Sequence, residues 1–167
     1  MGYDHQRTLD PVDGLRLVGF PDERLTQPSA PVAEIDDEVR KLGLAMIRAM
    51  REWKGIGLAA PQVGVNLRLF VVETSASDGP RCGGPMVLVN PMVVRHSQVV
   101  VRSIEGCLSI NAGRGSLVVP RWRKVVVEAF DLQGEQFALN TSGQLAMAVQ
   151  HELDHLDGVT INRRDGK

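Results

Sequence analysis

The segment His151-Glu152-Leu153-Asp154-His155 has the residue types and the spacing of a metal hydrolase site. Residues four apart lie on one face of a helix, so His151 and His155 can direct two imidazoles at one ion, with Glu152 beside it as a general acid and base. Pairs with this spacing also arise by chance, and then both histidines are ordinary core or surface residues. The pair alone does not separate these two interpretations.

Local signals place this segment on a helix. Thr141 to Gln144 has the T-x-x-Q form of a capping box, and Gly158 is a suitable C-terminal stop. Between these signals, apolar residues recur at helical spacing: Leu145, Val149, Leu153 and Leu156. The sequence therefore predicts that both histidines lie on a C-terminal helix.

A third ligand is needed, because a catalytic metal commonly keeps three protein ligands and one open position. The candidates are His5, His96, Asp157, Cys107 and a remote glutamate. Cys107 lies in a turn of small residues after a predicted strand, from which a thiolate could reach inward, but a buried cysteine is more often an ordinary core residue. The extended zinc-peptidase motif needs a third histidine where Ile161 stands, which counts against an endopeptidase.

The elements around this segment follow an α+β order. Apolar residues at three- and four-residue steps predict a second long helix near residues 35–53. Strand patterns occur at residues 15–20, 67–73, 86–94, 98–104, 124–130 and 135–139. Pro91 indicates an edge position or a bulge in its strand. We therefore expect short antiparallel or mixed sheets packed around the C-terminal metal-binding helix.

Composition restricts the classes of protein to consider. The 167 residues, 43% hydrophobic and 23% charged, suit one compact domain, preceded by an extended or mobile arm at residues 1–14. A net charge of −1 and an aromatic content of 4% give no sign of a nucleic-acid site or a membrane partner. The N-terminal residues lack an apolar signal core, so we expect a cytoplasmic protein in which Cys82 has no functional role.

Three segments together resemble the signature motifs of the peptide deformylase family, in the family's order. They are residues 55–62, residues 105–109 and residues 150–155. The resemblance spans roughly residues 15 to 163 and implies a single catalytic domain over residues 15–167. It implies hydrolysis of the N-formyl group from N-terminal formyl-methionyl peptides of newly made proteins, with release of formate. It also implies one divalent metal ion, iron(II) in the cell and zinc, nickel or cobalt in purified protein.

The resemblance assigns roles to individual residues. The implied metal ligands are Cys107, His151 and His155, and Glu152 is the implied general acid and base. The amide of Gln62 and the backbone N–H of Leu108 would stabilise the oxyanion, and Gly57 would bond to the substrate backbone.

The substrate pocket can be predicted from side-chain size. Small residues, including Gly57 and Gly106, would leave a cramped floor that accepts a formyl group and rejects an acetyl group. The residues Ile56, Met147 and Ala148 could line an apolar pocket for methionine.

The chain also departs from the family pattern. Residues 111–115 form a longer glycine-containing segment where the family has a proline and a compact turn, and Gln144 stands where a larger apolar residue is common. The sequence ends at Lys167, so the C-terminal helix of many bacterial members is expected to be missing, which leaves ribosome association open. In a non-enzymatic alternative, Cys82 would be the fourth ligand of a structural metal site.

Overall fold

The computed structural model describes residues 9–110 and 115–164. The helices are α1 (Asp37–Glu52), α2 (Gly143–Leu156) and the single turn α3 (Ile161–Arg164). The strands are β1 (Gly57–Ala59), β2 (Leu69–Glu73), β3 (Pro85–His96), β4 (Val100–Glu105), β5 (Leu117–Trp122), β6 (Lys124–Phe130) and β7 (Gln136–Ser142). Short 3₁₀ turns lie at Glu23–Thr26, Ala60–Val63 and Ala76–Asp78.

The strands form two antiparallel sheets, which confirms the predicted α+β class. Five strands pair in the order β1-β2-β3-β6-β7, and β4 pairs with β5 alone. Alternate residues of β2 pack on opposite faces, because side chains alternate along a strand. Leu69 and Val71 join the core under α1, whereas Phe70 and Val72 join the core under α2. The larger sheet therefore lies between the two long helices.

The long helix predicted near residues 35–53 is confirmed as α1. The Asp36 side chain caps its N-terminus by accepting a hydrogen bond from Val39 N at 2.9 Å. Its inward residues Met46, Ala49 and Met50 are fully buried.

The C-terminal helix is also confirmed, but its predicted capping box is wrong. Thr141 belongs to β7, and its hydroxyl donates to Val125 O at 3.0 Å instead of capping the helix. The helix starts at Gly143, which has a positive φ of 58°. The Thr141 hydroxyl thus bonds between β7 and β6 and is not available to cap the helix. At the other end, Gly158 adopts a φ of 72° just beyond the helix, as expected for a C-terminal stop.

The strand predictions hold in part. Pro91 lies within β3, and pairing of β3 with β6 shifts register between Val89 and Met92, which is the predicted bulge, although β3 is a central strand. The predicted strand at residues 15–20 is wrong, because only an isolated bridge between Val12 and Leu15 forms there. Two observed strands were not predicted: β1, which lies in a glycine-rich segment, and β5, which follows Ile110 in the chain.

The first described residues pack against the domain. Leu9 and Val12 contact the core under α1, and the Trp53 indole donates to Asp10 O at 2.9 Å. The arm predicted for residues 1–14 therefore has a packed second half, while residues 1–8, with His5, lie outside the described residues. Among the described helices, none has both the length and the apolarity that crossing a lipid bilayer requires.

Candidate metal centre

Three potential metal ligands converge between α2 and the turn after β4. The ligand atoms of Cys107, His151 and His155 lie within 4.8 Å of one another, and all three residues are buried. The Cys107 Sγ lies 3.2 Å from His155 Nε2, and the two imidazole rings are 5.0 Å apart at an interplanar angle of 72°. Donors on one tetrahedral ion are roughly 3.5 Å apart, so this set is already close to the spacing that a single ion requires.

The fold explains why these residues meet. Helix α2 packs on the sheet through its apolar stripe, and spacing of four residues keeps both histidines on one face. The Gln150 amide bonds to both backbone groups of Trp122, each at 2.9 Å, and so ties α2 to β5. Because β5 pairs with β4, this link fixes the turn with Cys107 against the histidines.

A buried ion network holds the back of the centre. Glu105 accepts a hydrogen bond from His151 Nδ1 at 2.9 Å, which leaves Nε2 of that ring for a metal. The guanidinium of Arg121 bonds to both Glu105 oxygens, at 2.8 and 2.7 Å, and to Asp154 at 2.5 Å. Glu105 therefore supports the His151 ring and is not part of the ligand cluster found among the described residues.

The buried hydrogen bonds and the low solvent exposure of the centre shift the pKa values of Glu105 and His155. Burial alone would raise the pKa of Glu105, but its hydrogen bonds from Arg121 and His151 outweigh burial and lower the pKa from 4.5 to about 2. The pairing therefore stabilises the folded state above about pH 4.5, and this contribution is lost as the pH falls towards 2. Burial lowers the pKa of His155 well below its usual value, so this ring is neutral and able to bind a metal.

The neighbours of His151 favour its protonated form. Burial alone would lower its pKa, but hydrogen bonds with Cys107 and Glu105 raise it to about 10. A metal must displace this proton, and such displacement is normal for thiolate and imidazole sites. The donor set of one thiolate and two imidazoles thus fits a divalent transition metal.

Replacing Arg121 tests the structural importance of the ion network. We expect Arg121→Met to lower the free energy of unfolding by about 3 to 5 kcal/mol, because it removes the buried cation that bonds to both Glu105 and Asp154. Urea unfolding followed by circular dichroism measures the change. Arg123→Met, at an exposed position two residues away, is the matched control and should change stability by less than about 0.5 kcal/mol. Equal stabilities of the two variants would contradict this account.

Glu152 lies beside the three ligands, with a carboxylate that the surrounding protein leaves free. It is buried, and its Oε2 has no hydrogen-bond partner among the described residues. Burial raises its pKa from 4.5 to about 7. A carboxyl group with this pKa can both accept and release a proton near neutral pH.

Gln62 is buried beside Cys107. Its Oε1 accepts a hydrogen bond from Ala59 N at 2.9 Å, which orients the amide. Its Nε2 donates to Ser109 Oγ at 3.1 Å and points at Cys107 Sγ, 3.8 Å away. The backbone N–H of Leu108 has no hydrogen-bond partner within residues 9–110 and 115–164, so both predicted oxyanion donors lie next to Cys107.

A cavity of about 580 Å³ opens onto the centre. Every predicted substrate-binding residue contributes to its wall: Ile56, Gly57, Gly106, Met147 and Ala148. Cys107, His151 and Glu152 line its inner end, and β1 and β4 form two of its sides. Strand β1 is one of the two edge strands of the larger sheet, and its first residue, Gly57, lines this cavity.

The other candidate ligands lie elsewhere. Asp157 forms an ion pair with Arg68 at 2.8 Å, and His96 stacks on Trp122 with ring centroids 3.9 Å apart. Cys82 is a free cysteine packed at the edge of the core under α2, and the ligand cluster among the described residues does not include it. The structure therefore gives no support to a closed four-ligand site that uses Cys82.

The supporting residues were not predicted from the sequence. They are the four buried polar residues Glu105, Arg121, Asp154 and Gln150. Glu105 lies within the segment that carries Cys107, and Asp154 lies between the two histidines, so their positions were a signal. Arg121 could not be found in this way, because only the pairing of β4 and β5 brings it to the site.

Comparison with known proteins agrees with this geometry. Residues 15–166 match the model of the family described as polypeptide deformylase. A peptide deformylase from Acidobacterium capsulatum is 43% identical over 143 residues, covering 86% of this chain and 81% of that protein. An actinonin complex of a Synechococcus elongatus peptide deformylase superposes with a TM-score of 0.83 at 38% identity, covering 95% and 81% of the two chains.

A third relative is the Met-Ala-Ser-bound peptide deformylase of Acinetobacter baumannii. It is 32% identical, has a TM-score of 0.81, and the match covers 90% of this chain and 97% of the other. Since a family model spans residues 15–166 and a relative 43% identical is matched over 81% of its length, this chain belongs to the peptide deformylase family.

Proposed function

We propose that this protein hydrolyses the formyl amide of N-terminal formyl-methionyl peptides of newly made proteins and releases formate. The observation that carries the proposal is the juxtaposition of a Cys-His-His ligand set with the buried, unpartnered carboxylate of Glu152 at the end of one cavity. Family membership supports the same reaction. So does the relative from A. baumannii, which binds Met-Ala-Ser, a peptide that deformylation of formyl-Met-Ala-Ser would leave.

The residues divide the reaction between them. A divalent metal held by Cys107, His151 and His155 would supply Lewis-acid chemistry and lower the pKa of water from ~15.7 towards ~7. Glu152 would take a proton from the attacking water and deliver it to the departing amine, roles that its pKa of about 7 permits. The network of Glu105 and Arg121 would keep the His151 ring in position during the reaction.

Charge that develops on the formyl oxygen requires donors. The Gln62 amide and the backbone N–H of Leu108 both lie next to Cys107, and we assign them to this oxyanion. The amide is fixed in advance by Ala59 N and Ser109 Oγ, so little reorganisation is needed when charge appears.

The peptide would lie between β1 and β4. The edge of β1 at Gly57 can pair with an extended substrate backbone, while Ile56, Met147 and Ala148 would surround the methionine side chain. Gly106 leaves room beside Cys107 for the reacting group.

Gly57 provides a test of this packing. A Cβ at Gly57 would overlap Glu152 Oε1 and lie 2.8 Å from its Cγ and Cδ, so the carboxylate would have to move. We expect Gly57→Ala to fold normally but to lose at least about tenfold in kcat, since small displacements of a catalytic group are costly. Gly84→Ala, where a Cβ meets no atom within 4 Å, is the control. Wild-type kcat in Gly57→Ala would remove the proposed placement of Glu152.

We further propose iron(II) as the metal in the cell and the cytoplasm as the location. One thiolate and two imidazoles bind iron(II), zinc, nickel or cobalt, and zinc, nickel or cobalt can replace iron in purified protein. Support for iron comes from the family resemblance, and support for the cytoplasm comes from newly made peptides as substrates. Metal analysis of anaerobically purified protein tests the first of these proposals.

Formate release from formyl-Met-Ala-Ser tests the function directly. We expect turnover of this peptide, no turnover of acetyl-Met-Ala-Ser, and no cleavage of an unmodified protein. Cleavage of internal peptide bonds without formate release would assign the site to an endopeptidase and overturn the proposal.

A further inference from the structure

Charge is strongly segregated along this chain. Residues 79–127 contain seven lysines and arginines but a single acidic residue, Glu105, whereas the whole chain has 19 basic and 20 acidic residues. Glu105 and Arg121 are both buried and paired, so neither contributes to the surface charge. Among the described residues, four of these cations are exposed on or beside β3, β4 and β5: Arg95, Arg102, Arg123 and Lys124.

The same region has an unusual sheet surface. Side chains of β4 and β5 that point away from the core form what we call the outer face. It consists of the cross-strand pairs Val100 with Trp122, Arg102 with Pro120, and Ile104 with Val118. All six residues are exposed, and Ile104 has 76% of its surface accessible. The solvent face of an antiparallel sheet is normally polar, but here five of the six side chains are apolar.

The apolar surface continues beyond these two strands. Met92 lines a groove together with Val100, Pro120 and Trp122, and His96 stacks on Trp122. Seven of the eleven large hydrophobic side chains exposed in the described part of the chain belong to this region. Contiguous apolar surface of this kind on a folded protein marks an interaction site.

The polar groups of the outer face and of its Trp122 end are cations, whereas the groove beside Met92 also contains Asp157, which is paired with Arg68. Arg102 lies within the outer face, and Arg95, Arg123 and Lys124 are exposed near its Trp122 end. None of the four forms an ion pair with another described residue. The six outward side chains include no hydrogen-bond acceptor, so an occupant of matching chemistry has acyl chains or other aliphatic groups and anionic groups without donors.

We propose that the outer face binds the surface of an anionic lipid bilayer. The aliphatic side chains would enter the headgroup boundary, the indole of Trp122 would lie at the interface, and the cations would contact lipid phosphates. RNA fits less well, because its interfaces are polar and the aliphatic residues would meet phosphates. A second copy fits less well too, because the same face would bring like charges together.

Docking in this way would have a consequence for the catalytic cavity. Arg102 and Ile104 line both the outer face and the mouth of that cavity, so the mouth would lie close to the lipid surface. The inference itself rests on charge and exposure and is independent of the proposed function.

Vesicle binding tests the proposal. Full-length protein is mixed with phosphatidylcholine vesicles with or without phosphatidylglycerol, and binding is measured by co-flotation at low and high salt. We expect binding only with phosphatidylglycerol, and weakening by salt. Emission from Trp122 should shift to shorter wavelength on binding, while Trp53, which is 6% exposed, should report no change.

Variants connect binding to the outer face. Val100→Ser combined with Val118→Ser, neither of which lines the catalytic cavity, should weaken binding at least tenfold. Arg95→Gln combined with Lys124→Gln should weaken it about thirtyfold, since each basic side chain contributes about 1 kcal/mol at an anionic surface, or about fivefold. The matched controls Leu44→Ser and Arg16→Gln, exposed elsewhere, should bind as the wild type does.

Several results would overturn the proposal. They are no vesicle binding, equal binding to phosphatidylcholine alone, or equal losses in the control variants. Binding of a structured RNA without vesicle binding would assign the face to nucleic acid. A dimer in sedimentation that the Val100→Ser and Val118→Ser pair dissociates would assign the face to a second copy of the chain.

Discussion

Glu152→Gln is expected to lower kcat for formyl-Met-Ala-Ser by about 10³-fold while leaving metal content unchanged. Glutamine has the same shape, but it can neither take a proton from water nor return one to the amine. The position offers no substitute, because Glu152 is buried and the described residues leave its Oε2 without a partner. Steady-state formate release and metal analysis on the same preparation measure both quantities.

The control for this variant is Glu52→Gln at an exposed position of α1, which should retain wild-type kcat. A Glu152→Gln protein within threefold of wild-type kcat would exclude Glu152 as the proton carrier. Loss of metal together with loss of activity would show that Glu152 supports the ligands instead.

The second large effect is expected for Gln62→Glu, which should lower kcat by about 10² to 10³-fold. A carboxylate keeps the acceptor for Ala59 N, so the local fold is retained, but it removes the Nε2 donor. Loss of one oxyanion donor costs roughly 3 to 4 kcal/mol in the barrier. The added negative charge also opposes an oxyanion.

Gln136→Glu on the exposed side of β7 is the matched control, since it adds the same charge far from the cavity. Circular dichroism and metal content should match the wild type in both variants. A Gln62→Glu protein with a raised KM and an unchanged kcat would instead assign Gln62 to substrate binding.

Much of the fold followed from periodicity. Helix α1 and the two ends of β6 could be predicted, because each element has a regular apolar pattern that is bounded by clear turn residues. Strands β1 and β5 were not readable in this way. Three residues of β1 lie among glycines and alanines, and β5 has apolar side chains on its solvent face, so neither shows the usual alternation.

In the candidate site too, residues close in sequence could be predicted to meet, whereas residues brought together by strand pairing could not. His151, Glu152 and His155 are close in sequence, so helical spacing alone predicted that they share a face. Cys107 joins them across 48 residues, and from the residues alone it remained one of several ligand candidates. Arg121 and Gln150 depend on the pairing of β4 with β5 and on its docking against α2, which no local pattern encodes.

X-ray absorption of the metal-loaded protein tests the central claim most directly. We expect one sulfur and two imidazole nitrogens per metal, with the remaining coordination from exchangeable water or a substrate analogue. Cys107→Ser should remove the sulfur signal and most of the metal, and Cys82→Ser should change neither. Two sulfurs per metal, no sulfur, or four protein ligands without exchangeable coordination would contradict the account.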